Sequence, residues 1–287
     1  MAKIIRLSTF ENSSFKTIKD ITDEEFDALK QDSEIIKSSY TQFVVFKYLQ
    51  LNLEDYSFFL SKITNVPLSN IEMNIFTNVD FILEANKYVL NVLISFKFFI
   101  DNTETFLKRT YGKDSEIVSD FKTLLSKHYD DHFAYRFLSR LRNFSVHLGF
   151  PLTSVAFNIT TPKHQIKNQR GNFKLDVDIR ILKKEKDLFG NMHKEICEME
   201  DDIDLIPLIY SLSKSILEIQ EYIYTVQKTE LMKCIENILP LKIYKTEENQ
   251  IKVFYDLTRN GENITFHTYD IPFDIIEELQ FAYEKLE

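Results

Sequence analysis

Apolar residues recur at three- and four-residue spacing through most of the chain, so the pattern predicts a mainly helical fold. The most regular stretch is NVDFILEANKYVLNVLISFKFFIDNTETFLKR, from Asn78 to Arg109. At ~1.5 Å per residue this predicts a helix ~45 Å long, enough for the spine of a bundle. TYGKD ends it, and a second helix follows at SEIVSDFKTLLSKHYD, with Ser115 as its N-cap. A third, DHFAYRFLSRLRNFSVHL, stops at Gly149 and Pro151. Upstream, residues 1–33 are mixed and polar. A helix is predicted from Asp32–Ser33 through EIIKSSYTQFVVFKYLQLN, with a separate short helical piece at LEDYSFFLSKI. NVPLSN (65–70) reads as a break and IEMNIF as a short strand or lead-in.

The period then changes from helical to alternating. TSVAFNITTP and GNFKLDVDIRILKKE predict two strands around the polar, basic loop KHQIKNQRG. A long helix is expected from Leu205 to Ile238, with Pro207 tolerated in its first turn. Short strands with a turn at Asn260-Gly261 and a last helix, FDIIEELQFAYEKL, close the chain. The fold class is therefore mainly α, α+β overall: a helical bundle with a small β-hairpin insertion and a small β/α C-terminal tail. Three regions are expected: an N-terminal helical region at 1–75, the bundle at 76–240 with its β insertion around 153–188, and a strand-and-helix segment at 241–287.

Composition narrows the picture. Hydrophobic residues are 44% and charged residues 28% of 287, a globular balance, and 5 Gly with 6 Pro suit long regular elements. Cys197 and Cys234 fit neither a disulfide framework nor a zinc spacing, and read as buried or incidental thiols of a reducing compartment. The run YVLNVLISFKFFI (88–100) is too short and too polar for a membrane span. No signal-peptide core precedes the first helix, so the expectation is a cytoplasmic protein with no membrane partner. The net charge of −9 argues against a general nucleic-acid binder. It hides an asymmetry, however: His132–Lys186 carries +8 and the rest of the chain −17.

That basic middle opens on Arg142-Asn143-x-x-x-His147, at the end of the third predicted helix. With 8 Arg, 6 His and 18 Asn in the chain, chance supplies an Arg-x4-His pair ~0.17 times and the Asn-containing version ~0.01 times. The chemistry is coherent: arginine offers a planar fork of donors to a phosphate, and histidine exchanges protons near neutrality. Asn143 and His147 are i,i+4 and share a face. Arg142 sits ~140° around the helix from His147. Either the last turn is distorted, or a second copy completes the site across a dimer axis. The structural alternatives are an Arg142 that binds a carboxylate such as Asp101 and a His147 that caps the last carbonyls.

RNFSVH resembles the Arg-x4-His signature of the HEPN superfamily, in which a polar residue, often Asn, follows the Arg. ANKYVLNVLISFKFFIDNTE (85–104) is similar to the paired helix of bacterial HEPN-like proteins, where Asn, Ser and Asp side chains point at the motif helix. These match Asn91, Ser95 and Asp101 here. The resemblance covers roughly residues 78–240. It implies an all-α bundle that dimerises, and a metal-independent endoribonuclease of toxin, abortive-infection or CRISPR type that uses no cofactor. His147 would then be general base or acid and Arg142 would stabilise charge on the phosphate. Asn143 would position His147 or the phosphate, and Lys163, Lys167 and Arg170 would grip the RNA backbone. The implied partners are RNA, a second copy of the chain, and an antitoxin or defence-system protein. A non-catalytic HEPN-like RNA- or nucleotide-binding scaffold is the alternative. Two features depart from the family: Gly149 stands where antitoxin-paired members have Tyr, and strands follow the motif.

A second cluster, SKHYDDHF, sets His128 and His132 at i,i+4 with Asp131 beside them. The spacing suits a metal, but position 129 is Tyr rather than a hydrolase Glu and no third ligand is identifiable, so no metal is expected.

Overall fold

In a computed structural model of the chain, residues 5–12, 14–64, 79–152, 154–159, 171–246, 248–260 and 263–284 are described. The elements run β1 (Ile5–Glu11), β2 (Ser14–Ile21), α1 (Asp23–Thr64), α2 (Val79–Tyr111), α3 (Glu116–Asp131) and α4 (Phe133–Leu148). Then come β3 (Ser154–Ile159), β4 (Gly171–Val177), three short helices α5 (Ile179–Leu182), α6 (Lys186–Phe189) and α7 (His193–Glu198), and β5 (Ile203–Asp204). Last are α8 (Leu205–Ile238), β6 (Gln250–Asn260), β7 (Asn263–Asp270) and α9 (Phe273–Glu284). The fold is mainly helical with small antiparallel sheets, as the sequence pattern predicts. No helix among the described residues is long and apolar enough to cross a membrane.

Two compact units form, Met1–Val44 with Ile223–Glu287 and Val45–Tyr222. The boundaries expected near residues 75 and 240 therefore fall elsewhere, because α1 and α8 each contribute to both units. Residues 1–33 also differ from expectation: they carry two strands rather than helix alone. β1 is an inner strand of a four-stranded sheet of order β2-β1-β6-β7. Ile5 and Leu7 point into a core with Ile36, Ile235, Val253 and Leu279. β1 pairs with residues 250–254, a partner more than two hundred residues away that no local pattern announces. Asn12, at φ 47°, lies at the turn into β2. α1 is one helix instead of the two expected pieces. Asn52, at the expected break, is buried and donates its amide to the Tyr48 carbonyl at 2.8 Å, so the polar residue is absorbed within the helix.

In the second unit the predicted bundle helices stand where expected. Ser115 N-caps α3, its hydroxyl accepting from the Val118 amide at 3.3 Å. Gly112 takes φ +92° just after α2, a conformation that favours glycine. α2, α3 and α4 pack pairwise, with the Phe96 ring edge-on to Tyr135 at 5.2 Å between centroids. Phe189 of α6 sits on the other side of α4, against Phe137 and Phe144. β3 and β4 pair antiparallel, and the brief β5 joins β4 through Val177↔Ile203. The strand expected across residues 171–185 ends at Val177, because the Asp178 carboxylate accepts from the Arg180 amide at 2.7 Å and starts α5. The Asp204 carboxylate binds the Leu175 and Ile206 amides, tying β4 to the start of α8. Cys234 is buried, its thiol pushed up to about 12 by burial and by Asp32. Cys197 is exposed rather than buried. IEMNIF and the Gly261 turn lie outside the described residues.

Candidate functional site on helix α4

A single extended residue, His132 (φ −113°, ψ 108°), ends α3 and begins α4. Arg136 braces the junction. Its Nη1 donates to the Tyr129 and Asp130 carbonyls at 2.9 Å each, which the end of α3 leaves without helical donors. Its Nη2 reaches Glu195 at 2.9 Å. From there α4 runs as a helix with one apolar face: Phe137, Leu138, Leu141 and Phe144 are buried.

The predicted motif occupies the last two turns. Arg142 is half-buried, and its Nη1 donates to the Asn143 side-chain oxygen at 3.2 Å. Its Nε is buried and has no acceptor among the described residues. His147 is exposed one turn beyond Asn143. The geometry thus joins Arg142 to Asn143 and leaves His147 to solvent. The last turn stays helical, so Arg142 and His147 keep their ~140° divergence. Around His147, Val146, Leu148 and Phe150 are 50%, 53% and 54% exposed, an apolar collar at the helix end. Gly149 then leaves the helix at φ +110°.

The chain beyond Gly149 is held by a residue that sequence reasoning missed. Asn86 of α2, 1% exposed, accepts from the Leu152 amide at 2.9 Å and donates to the Leu152 carbonyl at 3.1 Å. The side-chain amide acts as a strand-like partner for one peptide residue and fixes the exit from α4. Its signal was present: Asn86 is a polar residue inside the apolar stripe Ala85, Val89, Val92, Phe96.

The three supporting residues expected on α2 do not aim at the motif. Asn91 and Asp101 are exposed, and Asp101 accepts from Lys97 at 2.6 Å along its own helix. Asn91 lies ~140° around α2 from Asn86, which accounts for its outward direction. Ser95 is buried, but its hydroxyl donates to the Asn91 and Val92 carbonyls, at 2.6 and 3.1 Å. Arg142 is accordingly not a partner of Asp101. Lys163, Lys167 and Arg170 lie outside the described residues.

A cavity of about 340 Å³ opens among α2, α3 and α4. Arg140, Asn143, Tyr129 and Lys97 supply its polar wall, and Phe96, Ile100 and Tyr135 much of its apolar wall. Arg140 Nε donates to the Tyr129 hydroxyl at 3.1 Å. A larger cavity, about 1140 Å³, lies elsewhere in the unit, between α1, β4 and the start of α8, and none of the motif residues lines it.

His128 and His132 lie ring beside ring, 5.4 Å between centroids. His128 is buried, its ring stacked on Tyr135 and its Nε2 3.6 Å from Glu218, and burial lowers its pKa from 6.5. Among the described residues no group of three or more His, Cys, Asp or Glu side chains is placed to hold a metal ion.

No family model matches the chain, and no curated protein or solved structure does either. The chemistry of the site therefore rests on its own geometry.

Proposed function

We propose that the chain is a HEPN-type, metal-independent endoribonuclease that works as a homodimer in the cytoplasm, as a toxin or anti-phage effector. The observation that carries this reading is the end of α4: an exposed imidazole one turn beyond a hydrogen-bonded Arg142–Asn143 pair, ringed by exposed apolar side chains. Val146, Leu148 and Phe150, exposed together at one helix end, are what a docked second copy would cover. A second copy docked on this collar brings the Arg142 of one protomer towards the His147 of the other, which removes the objection raised by their divergence on one helix.

In this mechanism His147 accepts the proton of a ribose 2′-OH as its oxygen attacks the adjacent phosphorus. Arg142 stabilises the charge that builds on the phosphoryl oxygens, and Asn143 holds the guanidinium. The P–O5′ bond breaks, leaving a 2′,3′-cyclic phosphate, and the departing 5′ oxygen receives the proton. RNA is the substrate, and an antitoxin or defence-system protein is the regulatory partner.

The same divergence favours a second reading, a non-catalytic RNA- or nucleotide-binding scaffold. Cleavage of a mixed RNA panel by the purified chain in EDTA separates the two. Cleavage that disappears in a folded His147→Ala variant supports the enzyme. An intact dimer that leaves every RNA uncut sinks it in favour of the scaffold.

A further inference from the structure

The stripe of α4 that carries Asn143 and His147 also carries Arg140. On an ideal helix Arg140 and His147 are only ~20° apart, with Asn143 on the same side, whereas Arg142 is ~160° from Arg140. Arg140 is also the arginine of α4 that lines the cavity among α2, α3 and α4. We propose that this cavity is a phosphate-binding subsite with the Arg140 guanidinium as its principal ligand.

Arg140 differs from Arg136 and Arg180 in which of its donors are already engaged. Arg136 has its two terminal nitrogens bonded to backbone carbonyls and Glu195. Arg180 is paired at both ends with Asp178. Arg140 has no carboxylate partner among the described residues. Its one hydrogen bond, Nε to the Tyr129 hydroxyl, fixes the plane of the fork, with the charged carbon 5.9 Å from that ring's centroid. A guanidinium carries five N–H donors, so four are left for an anion. The wall around it is rich in donors as well. The Tyr129 hydroxyl, accepting from Arg140, keeps its own proton to give. Asn143, whose oxygen is held by Arg142, has no partner for its NH2 among the described residues. Lys97 binds Asp101 with one of three ammonium hydrogens. Phosphate is acceptor-only on most of its surface and matches a planar fork. About 340 Å³ has room for a phosphate together with part of its nucleoside. On the ribonuclease reading, on which this assignment to RNA rests, the subsite grips a phosphate next to the cleaved bond, two helical turns from His147. The affinity for phosphate itself does not depend on that reading.

The test titrates inorganic phosphate into the full chain at constant ionic strength and follows the arginine Nε–Hε resonances by NMR. Saturable movement of the Arg140 resonance is expected in the wild type; in the variants, which lack that resonance, the Asn143 side-chain NH2 signals report binding weakened about tenfold in Arg140→Gln and partly restored in Arg140→Lys. In RNA cleavage, Arg140→Gln raises KM about tenfold and leaves kcat within about threefold, the mark of a binding group. An Arg140 resonance that stays still under saturating phosphate overturns the subsite, even if RNA is cleaved. Phosphate binding at Arg140 by a chain that cuts no RNA keeps the subsite and discards the ribonuclease. A variant that unfolds is replaced by Arg140→Lys, for which unchanged phosphate affinity and unchanged KM in a cleaving chain also count against the proposal.

Discussion

The two ends of α4 use the same side chain for opposite purposes. At the N-terminal end, Arg136 binds two carbonyls and a carboxylate through its terminal nitrogens and closes the α3–α4 corner. Further along the helix, among the described residues, the Arg142 side chain donates only to the Asn143 amide oxygen and that of Arg140 only to the Tyr129 hydroxyl. The difference separates an arginine that holds structure from arginines kept available.

Substitutions at each end put that contrast to the test. The largest effect is expected from His147→Ala, which lowers RNA cleavage by about 10²–10⁴-fold. Because the side chain is exposed, the melting temperature stays where it was; a drop in both would assign His147 a structural role instead. Next, Asn86→Ala leaves the Leu152 amide and carbonyl buried without partners and costs about 2–3 kcal/mol, read as a shift of the urea midpoint. Activity falls with it only as far as the exit from α4 loosens. Arg136→Met removes the donor to the Tyr129 and Asp130 carbonyls, for about 1–2 kcal/mol. The ion pair with Glu195 adds little, since the carboxylate side is half exposed.

His128 gives a pH-dependent test of the structural end. Burial, the dominant influence, lowers its pKa below 6.5, so the unfolded chain binds the proton more readily than the folded one. Its contribution to stability is complete above pH 6.5 and is lost as the pH falls through the folded value. Denaturation midpoints should therefore drop between neutrality and mild acid, and His128→Phe should flatten that slope; an unchanged slope rejects the assignment. The smallest effect is expected from Arg142→Met. Exchanging the unpartnered Nε for a thioether leaves stability within about 0.5 kcal/mol or improves it, while cleavage falls. Clear destabilisation by Arg142→Met would place Arg142 with Arg136, as structure, and erase the contrast.

Much of this was legible in the chain, and the failures have physical causes. α2, α3, α4, α8 and α9 announce themselves because their apolar stripes are long and their stops are Gly, Pro or a capping Ser. β1 and β2 do not, because β1 is completed by residues 250–254 and β2 is an edge strand, mostly exposed, that pairs only with β1. At the proposed site, Arg142, Asn143 and His147 stand out by spacing alone. Their second layer is not, since choosing Asn91 over Asn86 requires knowing which face of α2 is buried. Arg140 is passed over because its significance lies in a cavity wall shared with α2 and α3, and one helix cannot display it.

The Asn86 amide, finally, makes the end of the motif helix depend on the count of residues in another. A single residue inserted into α2 ahead of position 86 would turn the downstream half of that helix by about 100° relative to what precedes it, or swing Asn86 away if the downstream packing holds. In the second case Leu152 loses both its partners, and the imidazole five residues back loses its fixed point of reference. The phase of α2 is thus a calibration mark for α4: two segments with no chemistry in common stay aligned only while one asparagine stays in step.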